Sequence, residues 1–225
     1  MFMSLDHFAI RNNTDKSSLH HDYCQYYEDA IEAYLKRHPV SSFSLLEIGV
    51  KEGGSLRMWS EYLDSIGLNH RIVGIDLDPL AVSAQNTDKN IFVEIGDQRD
   101  TAFLSRIVEE YGPFDMIVDD GSHVCKHQHK SFVALFSYLK RAGIYVVEDV
   151  CTSYWPEYND QGRYSMIEFC KSLVDDINFH GITANGTLDR KEGLLIEHVI
   201  ARRLDINTAI RSIHFFNSTI LIHKR

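Results

Sequence analysis

The chain is short of positive charge. Its 225 residues include 23 Lys and Arg against 32 Asp and Glu, which gives a formal net charge of -9. A surface that binds nucleic acid needs clustered Lys and Arg to displace counterions from the phosphates. The composition therefore argues against nucleic acid as the partner and favours a small molecule.

Membrane spans, signal peptides and cysteine pairs are also missing from the sequence. No apolar run approaches the roughly 18 residues that a membrane span needs. No charged stretch followed by an apolar one occurs at the N-terminus, so we expect a cytoplasmic protein with no membrane partner. The cysteines form no C-x-x-C pair, which favours reduced thiols over disulfides or structural zinc. They are Cys24, Cys125, Cys151 and Cys170.

Only four prolines occur, and no repeat or Pro/Gly/Ser-rich linker divides the chain. The length suits one α/β domain with a full core, so we expect a single domain over residues 1–225. Residues 1–40 are polar and aromatic, partly helical, and belong to no βαβ unit, which indicates a lid or cap. Residues 41–225 are expected to form a Rossmann-like core.

Within that core, apolar runs of strand length alternate with stretches of helical period, the pattern of βαβ units around a parallel sheet. Strands are expected at 44–50, 71–76, 91–96, 114–119 and 143–148, and helices at 55–65, 79–86, 100–111 and 126–140. The final residues, SIHFFNSTILIHKR, contain two short β-rich runs around Asn217-Ser218 and predict an antiparallel hairpin. The segment 183–204 suggests an exposed excursion around DRKEG and carries no functional signal.

Two of the predicted strands end in pairs of acidic residues. MIVDD ends in Asp119 and Asp120, and IYVVED ends in Glu148 and Asp149. Ligands of open α/β sheets sit at the carboxyl ends of the strands. Carboxylates at the end of a buried strand are costly to desolvate, so either a metal or a cationic ligand meets them, or these ends lie in water.

The first strand runs into a glycine-rich turn, LLEIGVKEGGSLRMW. It lacks the G-x-G-x-x-G spacing of dinucleotide-binding proteins, which disfavours an NAD-dependent oxidoreductase. Glu47 lies two residues before Gly49, where a carboxylate suits a cationic amino group better than a pyrophosphate. The turn therefore favours S-adenosylmethionine (SAM), with Glu47, Gly49 and Ser55, at the start of the next helix, as candidate cofactor ligands.

Two further acidic residues follow the next strands. Asp76, in GIDLDP, is placed to accept both ribose hydroxyls, and Asp97, in EIGDQRD, is placed to accept from an adenine amino group. Taken alone, each carboxylate is equally well explained as a helix N-cap or a solvated loop residue. Three acidic residues at the ends of successive strands, Glu47, Asp76 and Asp97, are harder to assign to chance.

Together, LLEIGVKEGGSLRMW, GIDLDP, DDGSHVCKHQHKSF and YVVEDVCTSYW resemble the class I SAM-dependent methyltransferases. More closely, they resemble the metal-dependent sugar O-methyltransferases of macrolide antibiotic biosynthesis, the macrocin and mycinamicin type. The similarity runs from about Thr14 through the final hairpin. It implies a seven-stranded, mostly parallel sheet with an antiparallel C-terminal hairpin, and it allows a homo-oligomer.

The resemblance also implies a metal site. Asp120, Glu148 and Asp149 would hold Mg²⁺ or another divalent cation, and His123 would be the general base that deprotonates the acceptor hydroxyl. Adjacent residues of a strand point to opposite faces, so Glu148 and Asp149 can reach one ion only if the chain bends between them. Asp119 is left as a structural or cofactor-side group.

Acceptor contacts are the least defined part of the prediction. Tyr154 and Trp155, in the loop after the second acidic pair, would stack on a sugar or aglycone, although such aromatics are as often core residues. His21 and Tyr23, in the N-terminal segment, are candidates for acceptor contacts. A zinc site at His123, His127 and His129 is disfavoured because no cysteine or carboxylate sits at a useful spacing.

The sequence thus predicts a SAM- and Mg²⁺-dependent O-methyltransferase that acts on a hydroxyl of a sugar or glycosylated small molecule. Catechol-type or other vicinal-diol methylation is an alternative, because its metal chemistry is the same. A protein on this scaffold that methylates nothing, like the cephalosporin hydroxylases, is a second alternative, since fold alone does not fix function.

Overall fold

The computed structural model describes residues 3–178 and 209–225. In these ranges seven strands form one sheet in the order β3-β2-β1-β4-β5-β7-β6. Strands β1 to β5 pair in parallel, whereas β7 is antiparallel to both β5 and β6. The strands are β1 (Ser42–Ile48), β2 (Asn69–Asp76), β3 (Ile91–Ile95), β4 (Phe114–Asp119), β5 (Leu139–Val147), β6 (Ile210–Phe215) and β7 (Ile220–Lys224). The predicted mostly parallel sheet with a C-terminal antiparallel hairpin is confirmed.

Helices cover both faces of the sheet. The α-helices are α1 (Leu5–Arg11), α2 (Cys24–Arg37), α3 (Gly54–Ser65), α4 (Thr101–Tyr111), α5 (Cys125–Leu135) and α6 (Met166–Ile177). Helices α1 to α3 share one core with residues such as Leu45, and α4 to α6 share a second core with residues such as Leu46. Successive strand residues point to opposite faces, so both neighbours are buried.

The N-terminal segment, expected to be a lid, is built into the first of these cores. Leu5 and Phe8 of α1 and Tyr27 and Ile31 of α2 are at most 3% exposed. The loop between α1 and α2 reaches the carboxyl ends of the central strands, where Asn12 to Asp15 form part of a cavity wall. This segment therefore contributes to the site as a fixed part of the fold.

Two predicted helices differ from the structure. The helix predicted at 126–140 ends as α5 at Leu135, a short 3₁₀ turn follows, and Leu139 already pairs with Phe114 in the sheet. The apolar residues at three- and four-residue spacing are buried in either conformation, so their period could not mark the boundary. The helix predicted at 79–86 is instead a 3₁₀ helix, Pro79–Ala84.

The cysteines are free thiols, as predicted, three of them buried and one half-buried. Among the described helices none has both the length and the apolar character that crossing a bilayer requires. The predicted exposed excursion at 183–204 lies outside the described residues.

Candidate active site

A cavity of about 940 Å³ opens at the carboxyl ends of β1, β2 and β4. Strands β1 and β4 are neighbours in the sheet, but the helices that follow them lie on opposite faces. The chain therefore leaves a crevice at this point, where open α/β sheets bind their ligands. The residues predicted from the sequence that line it are Gly49, Ser55, Asp76, Asp97, Asp120, His123 and Asp149.

Gly49 is required by the close approach of the two loops that form the cavity floor. Its φ is +91°, and a Cβ at this position would collide with the carbonyl oxygen of Asp120. Only glycine adopts this backbone without strain and leaves room for the neighbouring loop. The glycine thus permits the β1 loop to lie against the metal-candidate residue Asp120.

Asp76 ends β2 and is held by backbone amides. Its Oδ2 accepts hydrogen bonds from the amides of Val50 and Lys51 at 2.7 and 2.9 Å, and its Oδ1 accepts one from the amide of Asp78 at 2.9 Å. Each carboxylate oxygen has two acceptor sites, so Oδ1 keeps capacity for a ligand hydroxyl. Asp76 therefore both orders the glycine-rich turn and faces the cavity.

Asp97 faces the cavity together with an arginine that the sequence analysis did not single out. Arg99 donates to both of its carboxylate oxygens, with Nη2 2.5 Å from Oδ2. The hydrogen bonds from Arg99 lower the pKa of Asp97 to about 2. The acceptor that was predicted for an adenine amino group is thus already engaged by a guanidinium.

Three of the polar residues form a compact cluster at one end of the cavity. One ligand atom each from Asp120, His123 and Asp149 lies within 4.8 Å of the other two. His123 Nε2 is 3.6 Å from Asp149 Oδ2, and His123 Nδ1 has no hydrogen-bond partner among the described residues. A set of two carboxylates and one imidazole can hold a divalent cation.

The backbone of this cluster is strained. His123 has φ +57° and Asp149 has φ +52°, the left-handed conformation that residues other than glycine rarely adopt. Strain of this kind persists where the surrounding structure enforces it, and it concentrates at functional sites. At Asp149 it makes a bend after β5, and the Asp149 carboxylate lines the cavity without Glu148 beside it in the cluster.

The structure does not bring Glu148 into this cluster. Its side chain is buried, Oε1 accepts a hydrogen bond from the Tyr27 hydroxyl, and Lys16 Nζ lies 2.8 Å from the same oxygen. Burial, and then repulsion from Asp120, raises the pKa of Glu148 well above its ordinary value. Both partners belong to the N-terminal segment, so the carboxylate is turned beneath the cluster rather than toward the cavity.

Glu47 was expected to meet the amino group of SAM, but it is absent from the cavity wall. It is fully buried, its Oε2 accepts from Trp59 Nε1 at 2.8 Å, and Lys16 Nζ lies 3.3 Å from its Oε1. Burial raises the pKa of Glu47. A cation does meet this carboxylate, but the cation belongs to the protein.

Lys16 is a further residue of this region that was not predicted from the sequence. Its side chain is 1% exposed, and its ammonium group contacts Glu47, Asp120 and Glu148. Burial alone would lower the pKa of Lys16, but the attraction of the three carboxylates outweighs it and raises the pKa above its ordinary value. The signal in the sequence was that several strands end in acidic residues and no Lys or Arg of the protein had been assigned to neutralise them.

Asp119, left open between two roles, is buried in the second core. Its Oδ1 accepts from Gln98 Nε2 at 3.2 Å, and the Tyr145 hydroxyl is 3.5 Å from its Oδ2. Burial raises the pKa of Asp119 to about 6. Its place in the structure is that of a structural group.

The predicted acceptor residues separate into two sets. Tyr23 is buried, and its hydroxyl donates to Asp149 Oδ1 at 2.7 Å, with His21 Nδ1 3.5 Å from the same oxygen. Tyr154 and Trp155 lie in the turn after Asp149, where they are 73% and 47% exposed, and they do not line the cavity. The first set contacts the cluster through Asp149, and the second lies at the surface outside the cavity wall.

Comparison with protein families and curated relatives shows what this chain is similar to. Residues 46–150 match a family described as a methyltransferase domain. The chain is 38% identical over 194 residues to 8-demethyl-8-(2-methoxy-alpha-L-rhamnosyl)-tetracenomycin-C 3'-O-methyltransferase of Streptomyces olivaceus, an alignment of 80% of this chain and 46% of that protein. It is 32% identical over 216 residues to mycinamicin VI 2''-O-methyltransferase of Micromonospora griseorubida, covering 88% of this chain and 51% of that protein.

A solved structure shows the same fold. It is the MycE methyltransferase from the mycinamycin biosynthetic pathway, in complex with Mg, SAH and mycinamycin VI. The TM-score is 0.78 at 29% sequence identity, and the match covers 99% of this chain and 53% of that one. The chain spans about half the length of the curated relatives it matches. The Rossmann-like methyltransferase fold predicted from the sequence is confirmed.

Proposed function

We propose, from the premise that this chain carries a methyltransferase domain at residues 46–150, that the protein transfers a methyl group from SAM to a hydroxyl of a sugar or glycosylated small molecule, with Mg²⁺ at the site. The observation that carries the proposal is the cluster of Asp120, His123 and Asp149 on the wall of the cavity that Asp76 also lines. A cofactor and an acceptor held there would share one space.

The cavity suits a nucleoside joined to an amino acid. Its volume of about 940 Å³ is at the upper end of typical small-molecule sites. Asp76 Oδ1 would accept a ribose hydroxyl, and the first turn of α3, with Gly54 and Ser55 on the cavity wall, would offer backbone amides to a carboxylate. Gly49 keeps the floor low enough for the ligand to lie against the backbone.

The donor set fits a hard divalent cation. Asp120 and Asp149 would hold Mg²⁺ through carboxylate oxygens, the ligands it prefers, and two protein carboxylates leave positions for hydroxyls and water. When bound, Mg²⁺ supplies Lewis acidity that lowers the pKa of an acceptor hydroxyl. Glu148 stays a predicted third ligand, although its carboxylate is held by Lys16 and Tyr27.

His123 would act as the general base. The Tyr23 hydroxyl fixes Oδ1 of Asp149, and Oδ2 of Asp149 faces His123 Nε2 at 3.6 Å, so the imidazole has an oriented neighbour. The ring nitrogen takes the proton of the acceptor hydroxyl while the hydroxyl oxygen bonds to the methyl carbon. The methyl carbon–sulfur bond breaks, and its electron pair stays on the sulfur of S-adenosylhomocysteine.

A sugar hydroxyl is favoured over a catechol because the two curated relatives named above are rhamnosyl-tetracenomycin and mycinamicin O-methyltransferases. Tyr154 and Trp155 follow Asp149 by five and six residues in the chain, and their exposed rings would offer apolar surface to such an acceptor. Homo-oligomer formation and a cytoplasmic location stay predictions from the sequence.

A transfer assay tests the proposal. The protein is incubated with methyl-labelled SAM and, separately, with a rhamnosylated polyketide, the aglycone alone and a catechol. We expect label only in the glycosylated acceptor, loss of transfer on addition of EDTA, and recovery with excess Mg²⁺. Transfer to catechol alone would move the proposal to catechol-type methylation, and transfer that persists in EDTA would contradict the metal.

Asp76→Ala is expected to weaken SAM binding by roughly 10- to 100-fold, because a ribose hydroxyl and the Val50 and Lys51 amides lose their acceptor. Calorimetric titration with SAM measures the loss. Asp88→Ala, a change at an exposed residue of the neighbouring 3₁₀ helix, is the control and should leave the affinity unchanged. Equal SAM affinity in Asp76→Ala and the control would place the ribose elsewhere.

A further inference from the structure

Lys16 lies at a fixed position beneath the metal cluster. Its backbone carbonyl accepts hydrogen bonds from the amides of Tyr23 and Cys24 at 3.0 and 3.3 Å, so the start of α2 anchors it. A buried lysine loses rotational freedom about its side-chain bonds and loses its hydration. Such a lysine is rarely found without paired negative charge. In Lys16 this costly arrangement is offset by carboxylates at the ends of three strands.

The ammonium group of Lys16 joins three carboxylates that come from three neighbouring strands. Nζ is 2.5 Å from Asp120 Oδ2, 2.8 Å from Glu148 Oε1 and 3.3 Å from Glu47 Oε1. Glu47 belongs to β1, Asp120 follows β4 and Glu148 follows β5. One cation therefore fixes the relative positions of the ends of the three central strands.

Only one of these carboxylates also belongs to the cluster that faces the cavity. A carboxylate oxygen of Asp120 lies within 4.8 Å of ligand atoms of His123 and Asp149, and Lys16 donates to Oδ2 of the same carboxylate. Glu47 and Glu148 are turned away from the cluster, and Trp59 and Tyr27 donate to them. Asp120 is thus shared between a cation that the protein supplies and the position proposed for a divalent ion.

We propose that Lys16 is a positioning residue of the metal site: its ammonium group holds Oδ2 of Asp120, neutralises part of the charge of Glu47 and Glu148, and thereby limits how tightly a divalent ion binds. The inference rests on the proposed function. The orientation of Asp120 is set before the ion arrives. The positive charge beside it keeps the ion from being held by the full set of strand-end carboxylates.

Lys16→Met keeps the length of the side chain and removes its charge. A positive charge within one side chain's reach of a divalent ion repels it strongly, so the variant should bind Mg²⁺ at least about 10-fold more tightly. Its kcat should fall at least about 10-fold, because Asp120 is no longer held, while KM for SAM changes less than about threefold. Mg²⁺ affinity is measured by competition with Mn²⁺, followed through the EPR signal of free Mn²⁺.

The matched control is Lys140→Met, at the opposite ends of the strands. Lys140 Nζ is 2.6 Å from Oδ2 of Asp115, a fully buried carboxylate that also accepts from the Tyr34 hydroxyl of α2. The arrangement resembles that of Lys16, Glu148 and Tyr27, although Lys140 is 35% exposed, and among the described residues Asp115 belongs to no candidate metal cluster. The control should lose stability, and its Mg²⁺ affinity and kcat should match those of the wild-type protein.

The outcomes separate the inference from the proposed function. Wild-type protein that binds neither Mn²⁺ nor Mg²⁺ overturns both. Wild-type binding with unchanged or weaker Mg²⁺ affinity in Lys16→Met overturns only the role of Lys16, since general damage to the core weakens metal binding and turnover together. If Lys16→Met does not fold, the pair Lys16→Met with Glu47→Gln removes opposite charges. In the pair, Mg²⁺ binding that is tighter than in Glu47→Gln alone supports the inference, and equal or weaker binding overturns it.

Discussion

Replacing Asp149 with asparagine is expected to lower Mg²⁺ affinity by at least about 100-fold, more than is usual for a residue outside the coordination sphere. Asparagine has the shape of aspartate and is one of the few residues that tolerate the left-handed conformation found here, φ +52°. The bend after β5 should therefore survive, so the variant tests the charge alone. Methyl transfer at millimolar Mg²⁺ should fall with the affinity.

Mn²⁺ competition and a Mg²⁺ titration of the transfer rate measure the two effects of Asp149→Asn. Glu157→Gln removes an exposed carboxylate farther along the same turn and is the matched control. We expect the control to behave as the wild-type protein in both measurements. An Asp149→Asn protein whose Mg²⁺ affinity equals that of the control would remove Asp149 from the metal site.

The cavity-lining acids could be predicted from sequence because their placement follows from topology. Asp76 ends β2, Asp120 follows β4 directly and Asp97 lies two residues after β3, and the carboxyl ends of parallel strands share one edge of the sheet. Once the apolar runs are recognised as parallel strands, these side chains must lie near one another. No knowledge of packing is needed for that step.

Side-chain direction at the strand ends could not be predicted in the same way. Glu148 and Asp149 are adjacent, yet Glu148 turns to Lys16 and Tyr27 and Asp149 turns to the cavity, because the chain enters a positive-φ bend at Asp149. Glu47 likewise precedes the glycine turn but faces the first core, where Trp59 and Lys16 meet it. Such choices depend on partners far away in the sequence.

Lys16 is the clearest example of a residue whose role could not be predicted from the sequence. Its contact with Asp120 spans 104 positions and joins a loop to a strand end. Neither residue type nor local period marks such a contact. The charges do indicate that a cation is needed, because three acidic groups at the ends of buried strands require a positive group nearby. From the sequence, a metal and a ligand were the two candidates for that group. A protein cation is the third source.

His123→Ala is expected to lower kcat by about 10²- to 10⁴-fold, the usual contribution of a positioned general base. SAM and Mn²⁺ affinities should change less than about threefold, because Gly49, Asp76, Asp120 and Asp149 are all retained. The rate of methyl transfer under saturating SAM, acceptor and Mg²⁺ measures the loss. Added imidazole should restore part of the rate, since the change leaves space where the ring was.

His129→Ala is the matched control for this experiment. His129 lies on α5, where its ring packs 4.3 Å from that of Phe169, and it does not line the cavity. Its removal should leave kcat unchanged. An unchanged rate in His123→Ala would exclude His123 as the general base. A loss of Mn²⁺ affinity as large as the loss of rate would instead make His123 a third metal ligand, beside Asp120 and Asp149, because its ring nitrogen already lies within reach of both.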